Sequence, residues 1–271
     1  MSPIQRGEIA PIMMSILFAS IASGAFAGSG TDAASQTHPL RVADATLLTG
    51  RSITATVGGV QLSAYVAQSS GQGPFPAVVM IHEWWGLNTQ IKQTADALAK
   101  EGYLVVAPDL YKGNVATDSK TAAAYMNALN RNDAIATLKA AYQWITEQPA
   151  TKGKKIGSVG WCMGGGYSLQ LGLAEPVDAV VIYYGLLETD PSILRRLKGP
   201  VLGIFANRDG WINPEMVNGF EQGLNAAPIA HQIYRYDADH AFANPSGPNY
   251  KSEMAADAWG KMVAFFGKHL K

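Results

Sequence analysis

Cys162, the only cysteine of the chain, lies in Gly160-Trp161-Cys162-Met163-Gly164, between an apolar run that reads as a strand and a segment that reads as a helix. A thiolate is a strong nucleophile, and a sharp strand-to-helix turn lifts such a group clear of a sheet edge. Glycine is needed on both sides of that turn, because a side chain there meets backbone. With 28 Gly in 271 residues, a given cysteine has glycine at both i−2 and i+2 by chance about once in a hundred. The competing reading is a small buried hydrophobe, the usual state of a free cysteine.

A nucleophile of this kind needs a base and a group to orient the base. Downstream of Cys162, the run Val201–Phe205 leads into Asn207-Arg208-Asp209-Gly210, and His231–Tyr236 leads into Asp237-Ala238-Asp239-His240. Asp209 and His240 therefore each follow a strand, on loops at the carboxyl edge of a parallel sheet, where ligand sites form. The chain order nucleophile, acid, histidine is that of nucleophile-elbow enzymes. A loop aspartate alone is usually a cap or turn former. Asp237 and Asp239 compete for the orienting role, but so near His240 along the chain they reach its Nδ1 poorly. His38, His231 and His269 fall in a leader, a strand and the chain end, and carry no comparable pattern.

The run Ala77–Ile81 ends in His82-Glu83-Trp84-Trp85-Gly86. The backbone N–H groups of Trp84 and Met163 are expected to form an oxyanion hole, each worth about 10²–10³ in rate. Glu83 is either a surface or salt-bridged carboxylate, or a group touching Cys162 that disfavours its thiolate. Trp85, Tyr111, Trp161, Trp211 and Phe242 sit on the same set of turns and predict an apolar substrate pocket. Trp144 and Trp259 fall on helices and read as core. His82, Glu83 and Asp109 lack the spacing of metal ligands, so no metal and no organic cofactor is expected.

These residues must be held by a sheet. Ile53–Val57 and Val60–Val66 alternate around Gly58-Gly59, the signal of a hairpin. Beyond it, short apolar runs at 77–81, 103–107, 156–160, 179–183, 201–205 and 231–236 read as strands buried on both faces. Helices are predicted between them at Thr89–Glu101, Lys120–Glu147 (broken near Asn130), Met163–Ala174, Pro214–Leu224 and Ser252–His269. The fold class is α/β: a mostly parallel, doubly wound sheet with an antiparallel N-terminal hairpin and helices on both faces.

Residues 1–27 read as a signal peptide, with Arg6, an apolar stretch from Ile12, and Ala25-Phe26-Ala27 before a cut at Gly28. An uncleaved anchor is the alternative. Residues 28–50 read as a flexible leader and 51–271 as the domain, so the mature protein is expected in the periplasm or medium, off the membrane. Net charge is zero, which leaves no electrostatic footprint for nucleic acid or an anionic membrane. One cysteine excludes an intramolecular disulfide and any CxxC pair. The expected partner is a small molecule, and a monomer is expected.

The motifs His82-Glu83-Trp84-Trp85-Gly86, Ala107-Pro108-Asp109-Leu110-Tyr111, Gly160-Trp161-Cys162-Met163-Gly164-Gly165-Gly166, Asp209 and His240-Ala241-Phe242 resemble the dienelactone hydrolase family over about residues 50–270. That resemblance implies an α/β-hydrolase fold and hydrolysis of a lactone or activated ester. It implies Cys162 as nucleophile, His240 as base and Asp209 as its orienter. Glu83 would hold the resting thiol and swing away on substrate binding. The chain departs from the pattern at Asn244, where members acting on dienelactones carry an arginine that clamps the substrate carboxylate. The stretch 112–130 offers Lys112 and Lys120 but no second arginine, and Arg131 lies just beyond; lysine does not replace a bidentate fork. A neutral aryl or alkyl ester or lactone is therefore expected. A thioesterase or polyester-cleaving esterase on the same machinery, an inert binding protein on the same fold, and a redox-sensing thiol are the alternatives.

Overall fold

The computed structural model describes residues 48–271. The signal-peptide reading and nearly all of the 28–50 leader lie outside the described residues. The leader's last residues are pinned. The backbone N–H groups of Thr49 and Gly50 donate to the buried Asp96 carboxylate at 2.9 and 3.0 Å, and the Tyr65 hydroxyl donates to it at 2.8 Å.

Eight strands form one sheet: β1 (Arg51–Val57), β2 (Val60–Gln68), β3 (Ala77–Ile81), β4 (Leu104–Pro108), β5 (Ile156–Trp161), β6 (Ala179–Tyr183), β7 (Val201–Ala206) and β8 (His231–Tyr236). Their spatial order is β1-β2-β4-β3-β5-β6-β7-β8. The β1–β2 and β2–β4 pairs are antiparallel, and the rest are parallel. The chain winds from β3 outward to β4, then returns across β3 to β5. In sheets of this kind, ligands bind outside the carboxyl ends of the strands at such a reversal.

Register decides what meets there. Ile81 pairs with Gly160, Trp161 with Tyr183, Tyr183 with Ile204, and Ala206 with Tyr236. Five strands thus end at one level, and the loops after them share one edge.

Alternate residues of the central strands feed two core layers. Val79, Ile81, Val106 and Ile182 face α3 (Arg131–Thr146), α4 (Met163–Ala174) and α6 (Pro214–Ala226). Val78, Met80, Val105 and Val181 face α1 (Thr89–Lys100) and α7 (Ser252–Leu270). The predicted break near Asn130 separates α2 (Ser119–Ala128) from α3, and Asn130 caps α3 by accepting from the N–H groups of Asn132 and Asp133. One short helix, α5 (Pro191–Leu194), had no signal in the apolar pattern.

The expectation that every strand after the hairpin is buried on both faces fails at β8. None of its six residues is buried. It is the last strand of the sheet, an edge with a neighbour on one side only.

Candidate active site

The turn from β5 into α4 carries Cys162 at φ 54° and ψ −119°, a backbone conformation few side chains adopt. A Cβ at Gly160 would land on the Gly164 backbone, and one at Gly164 on the carbonyls of Ile81 and His82. Both glycines of the motif are therefore required by sterics. The Cys162 N–H donates to Tyr183 O at 3.0 Å, which ties the strained residue to the next strand.

Two backbone N–H groups, those of Met163 and Trp84, face the Cys162 sulfur and favour its thiolate. Burial outweighs them, with the Glu83 charge adding to it, and the thiol is pushed well above its ordinary range. At neutral pH the group is a thiol and needs a base.

Asp209 and His240 meet. His240 Nδ1 lies 2.6 Å from Asp209 Oδ2, and the other carboxylate oxygen accepts from the N–H groups of Trp211 (2.8 Å) and Ile212 (3.0 Å). Burial alone would raise Asp209; its bonds to His240 and to these two amides hold it below the usual carboxylate range instead. The imidazole is bracketed edge-on by Trp211 at 4.8 Å and Tyr184 at 5.1 Å between ring centroids. Its Nε2 is buried and has no hydrogen-bond partner among the described residues, so in this conformation the Cys162 sulfur makes no hydrogen bond to the ring. Arg208 takes up Asp237 and Asp239 in exposed ion pairs, which removes both as rivals to Asp209.

Glu83 is 3% exposed and accepts from Asn244 Nδ2 through Oε2. It makes no hydrogen bond to Cys162 here, so the expectation that it holds the resting thiol is not met in this conformation. Burial pushes its carboxyl up to about 7, against the Asn244 bond, which lowers it.

The aromatic residues divide. Trp211 is 61% exposed and stacks edge-on with Trp84 at 6.2 Å, which in turn meets Trp85 at 5.1 Å. Phe242 and Trp161 do not line a pocket. Phe242 is fully buried against Tyr184 and Tyr236, and Trp161 stacks on Tyr183 in the core layer beneath the site. Tyr111 is buried as well, and braces the elbow by donating to Met163 Sδ at 3.3 Å. A residue next to a site along the chain can point into the layer below it.

Two positioning residues had no strong sequence signal. His82 is fully buried; its Nδ1 bonds Glu83 O at 2.6 Å and its Nε2 accepts from Leu110 N at 3.2 Å, joining the loops after β3 and β4. Tyr184 has φ 36° and a fully buried ring that packs edge-on against His240. Among the described residues no group of three or more His, Cys, Asp or Glu is arranged to hold a metal. Asp109 instead accepts from the backbone of Tyr111 and Gly113. Arg131 is held by Gln170 at 2.8 Å. A cleft of about 480 Å³ between the hairpin and α3 lies away from all these residues, lined by Val57, Tyr142 and Glu175 among others.

Known proteins share this sequence and fold. The chain is 33% identical over 223 residues to "Protein usf" of Aquifex pyrophilus, spanning 78% of this chain and 95% of that one. It is 31% identical over 249 residues to a "Putative carboxymethylenebutenolidase" of Saccharolobus solfataricus, spanning 76% and 94%. A solved structure titled "Putative Dienelactone Hydrolase" from Klebsiella pneumoniae superposes with a TM-score of 0.74 at 26% identity, covering 83% of this chain and all of that one. The model of the dienelactone hydrolase family matches residues 62–270, and with that span of sequence and the shared fold the chain belongs to the dienelactone hydrolase family of α/β-hydrolases.

Proposed function

We propose that this hydrolase cleaves a neutral aryl or alkyl ester, or a lactone, through a thioester on Cys162. The observation that carries the reading is the buried Asp209–His240 contact beside an elbow cysteine whose sulfur faces two backbone N–H groups. The sulfur and a substrate carbonyl oxygen cannot share those amides. Attack therefore begins with rotation about the Cys162 Cα–Cβ bond, which brings the thiol to the unpartnered Nε2 of His240. His240 takes the thiol proton as sulfur bonds to the carbonyl carbon, and the π pair moves to oxygen between the Trp84 and Met163 amides. Collapse expels the alkoxide, which His240 protonates. Water then gives a proton to His240 and attacks the thioester, releasing the acid and the thiol.

Neutral substrates are favoured because Asn244, which stands where the clamping arginine is expected, is an amide bonded to Glu83 and supplies no cation. A second reading, esters with extended apolar chains, is favoured by Trp211, Leu186 and Val115. These three are exposed large hydrophobics on the loops after β7, β6 and β4. Residues 1–27 fit a cleaved export signal, and a thiol that is protonated at rest suits an oxidising compartment.

The test is intact mass after mixing with p-nitrophenyl acetate. Wild type and Cys162→Ser are expected to gain one acetyl group at residue 162, and Cys162→Ala none. Unchanged hydrolysis in Cys162→Ala would end the proposal.

A further inference from the structure

The two N–H groups beside the nucleophile, those of Met163 and Trp84, each belong to a peptide whose carbonyl points the other way. A trans peptide is planar, so whatever holds its carbonyl also aims its N–H. In the Met163 peptide the carbonyl is that of Cys162, and it accepts from the N–H groups of Gly165 at 3.0 Å and Gly166 at 3.3 Å. Those two donors come with the first turn of α4. The Trp84 peptide lies in the loop between β3 and α1, where no helical turn supplies them. Its carbonyl, that of Glu83, accepts from Gly86 N at 3.2 Å and from His82 Nδ1 at 2.6 Å. One of its two donors is therefore a side chain.

The partners of that side chain fix its tautomer. Leu110 N–H can only donate, so His82 Nε2, 3.2 Å away, is the bare nitrogen. Glu83 O can only accept, so Nδ1 carries the proton. Burial keeps the ring neutral, against the Glu83 carbonyl bond and the Asp109 charge. The imidazole is fully buried and rests edge-on against Tyr111, 5.1 Å between ring centroids. Its own backbone carbonyl packs on Gly164, where a Cβ would strike it. His82 thus sits at the join of the elbow, the loop after β3 and the loop after β4.

We propose that His82 is a positioning residue for the oxyanion hole, whose Nδ1–H grips the Glu83 carbonyl and so aims the Trp84 N–H of the same peptide at the substrate oxygen. The bond fixes the rotation of that peptide plane. It also draws charge from the carbonyl, which makes the N–H a stronger donor. Full use of that N–H comes only as the oxyanion forms, so its loss falls on kcat. The proposal deepens the ester-hydrolase reading and rests on the Trp84 N–H as an oxyanion donor.

The two ring nitrogens can be tested apart. An Asn amide nitrogen reaches the place of Nδ1, and a Gln amide oxygen the place of Nε2. His82→Asn keeps the donor to Glu83 O and gives up Leu110 N; His82→Gln does the reverse. Steady-state hydrolysis of p-nitrophenyl acetate is measured for both, with inhibition by trifluoroacetone. The Cys162 sulfur bonds to the carbonyl carbon of that ketone, its proton passes to His240, and the π pair moves to oxygen. His82→Gln is expected to lower kcat by about 10–100-fold with KM within about threefold, and His82→Asn to lower kcat by less than about fivefold. Ki for trifluoroacetone should rise in His82→Gln by about the factor by which kcat/KM falls. Equal effects in the two variants, or a greater loss in His82→Asn, would make His82 a brace between loops and overturn the proposal. So would a His82→Gln loss confined to KM with Ki unchanged. If His82→Asn does not fold, the Ki of His82→Gln decides alone. A wild type that forms no acetyl-enzyme while the two variants still diverge would remove Cys162 as nucleophile and leave the His82 assignment; an acetyl-enzyme without divergence would do the opposite.

Discussion

Burying Glu83 has a thermodynamic consequence that is separate from catalysis. Its carboxyl is raised from an ordinary 4.5 to about 7 in the folded protein. Below about pH 4.5 the folded and unfolded chains both hold this proton. Between 4.5 and 7 the folded chain keeps a proton that the unfolded chain has released, so stability falls as pH rises; above 7 the loss is complete. Asp209 works in the opposite sense, since its lowered carboxyl contributes stability that is lost as pH falls. Comparing wild type with Glu83→Gln cancels Asp209 and isolates Glu83. A rise from 4.5 to about 7 sets a ceiling of about 3 kcal/mol. Glu83→Gln, whose amide oxygen can still accept from Asn244, should therefore be more stable than wild type in urea unfolding at pH 8, by up to about that amount. The gain should shrink to nothing toward pH 4.5. Equal stability at pH 8 would mean that the carboxyl is not buried as described.

At the scale of elements, the elbow and an ordinary helix make opposite demands on the same residue type. Gly164 opens α4 against the carbonyls of Ile81 and His82, so Gly164→Ala has no room and must displace β3 or the helix. Gly260 lies within α7, and a Cβ there would meet nothing within 4 Å. Gly260→Ala should stabilise the protein by about 0.5–1 kcal/mol, as an unstrained glycine in a helix interior does, while Gly164→Ala should lower Tm sharply or prevent accumulation of folded protein. Two melting curves decide it. The elbow was legible because its steric demand is local: glycines two residues either side of Cys162 leave a mark in the sequence. So were β3, β6 and α4, whose bounds match the apolar runs to the residue. What lay beyond reading were consequences of register. Nothing near Glu83 in the chain announces Asn244, and nothing at Phe242 says that it points into the core while Trp211 points out. The edge position of β8 followed from strand order, which periodicity alone does not carry.

For the whole molecule, one sheet edge gathers the chemistry and also the uncovered apolar surface. Among the described residues the exposed large hydrophobics are Leu48, Val115, Leu186 and Trp211, and the last three follow the carboxyl ends of β4, β6 and β7. Trp211 connects the two features. Its backbone N–H helps hold Asp209, whereas its side chain leans against the His240 ring and reaches Trp84 while remaining 61% exposed. Replacing the side chain leaves the backbone bond to Asp209 in place, so the base keeps its orienter and mainly apolar contact is removed. An aryl or extended acyl group lying against that indole would lose about 1–2 kcal/mol on its removal, whereas an acetyl group too small to reach it would lose little. Trp211→Ala should therefore cut kcat/KM for a p-nitrophenyl ester of a long acyl chain by about tenfold, mostly through KM, and change the acetate ester by less than about threefold. An equal loss on both esters would assign Trp211 to positioning His240, and the apolar rim would then have no part in choosing the substrate.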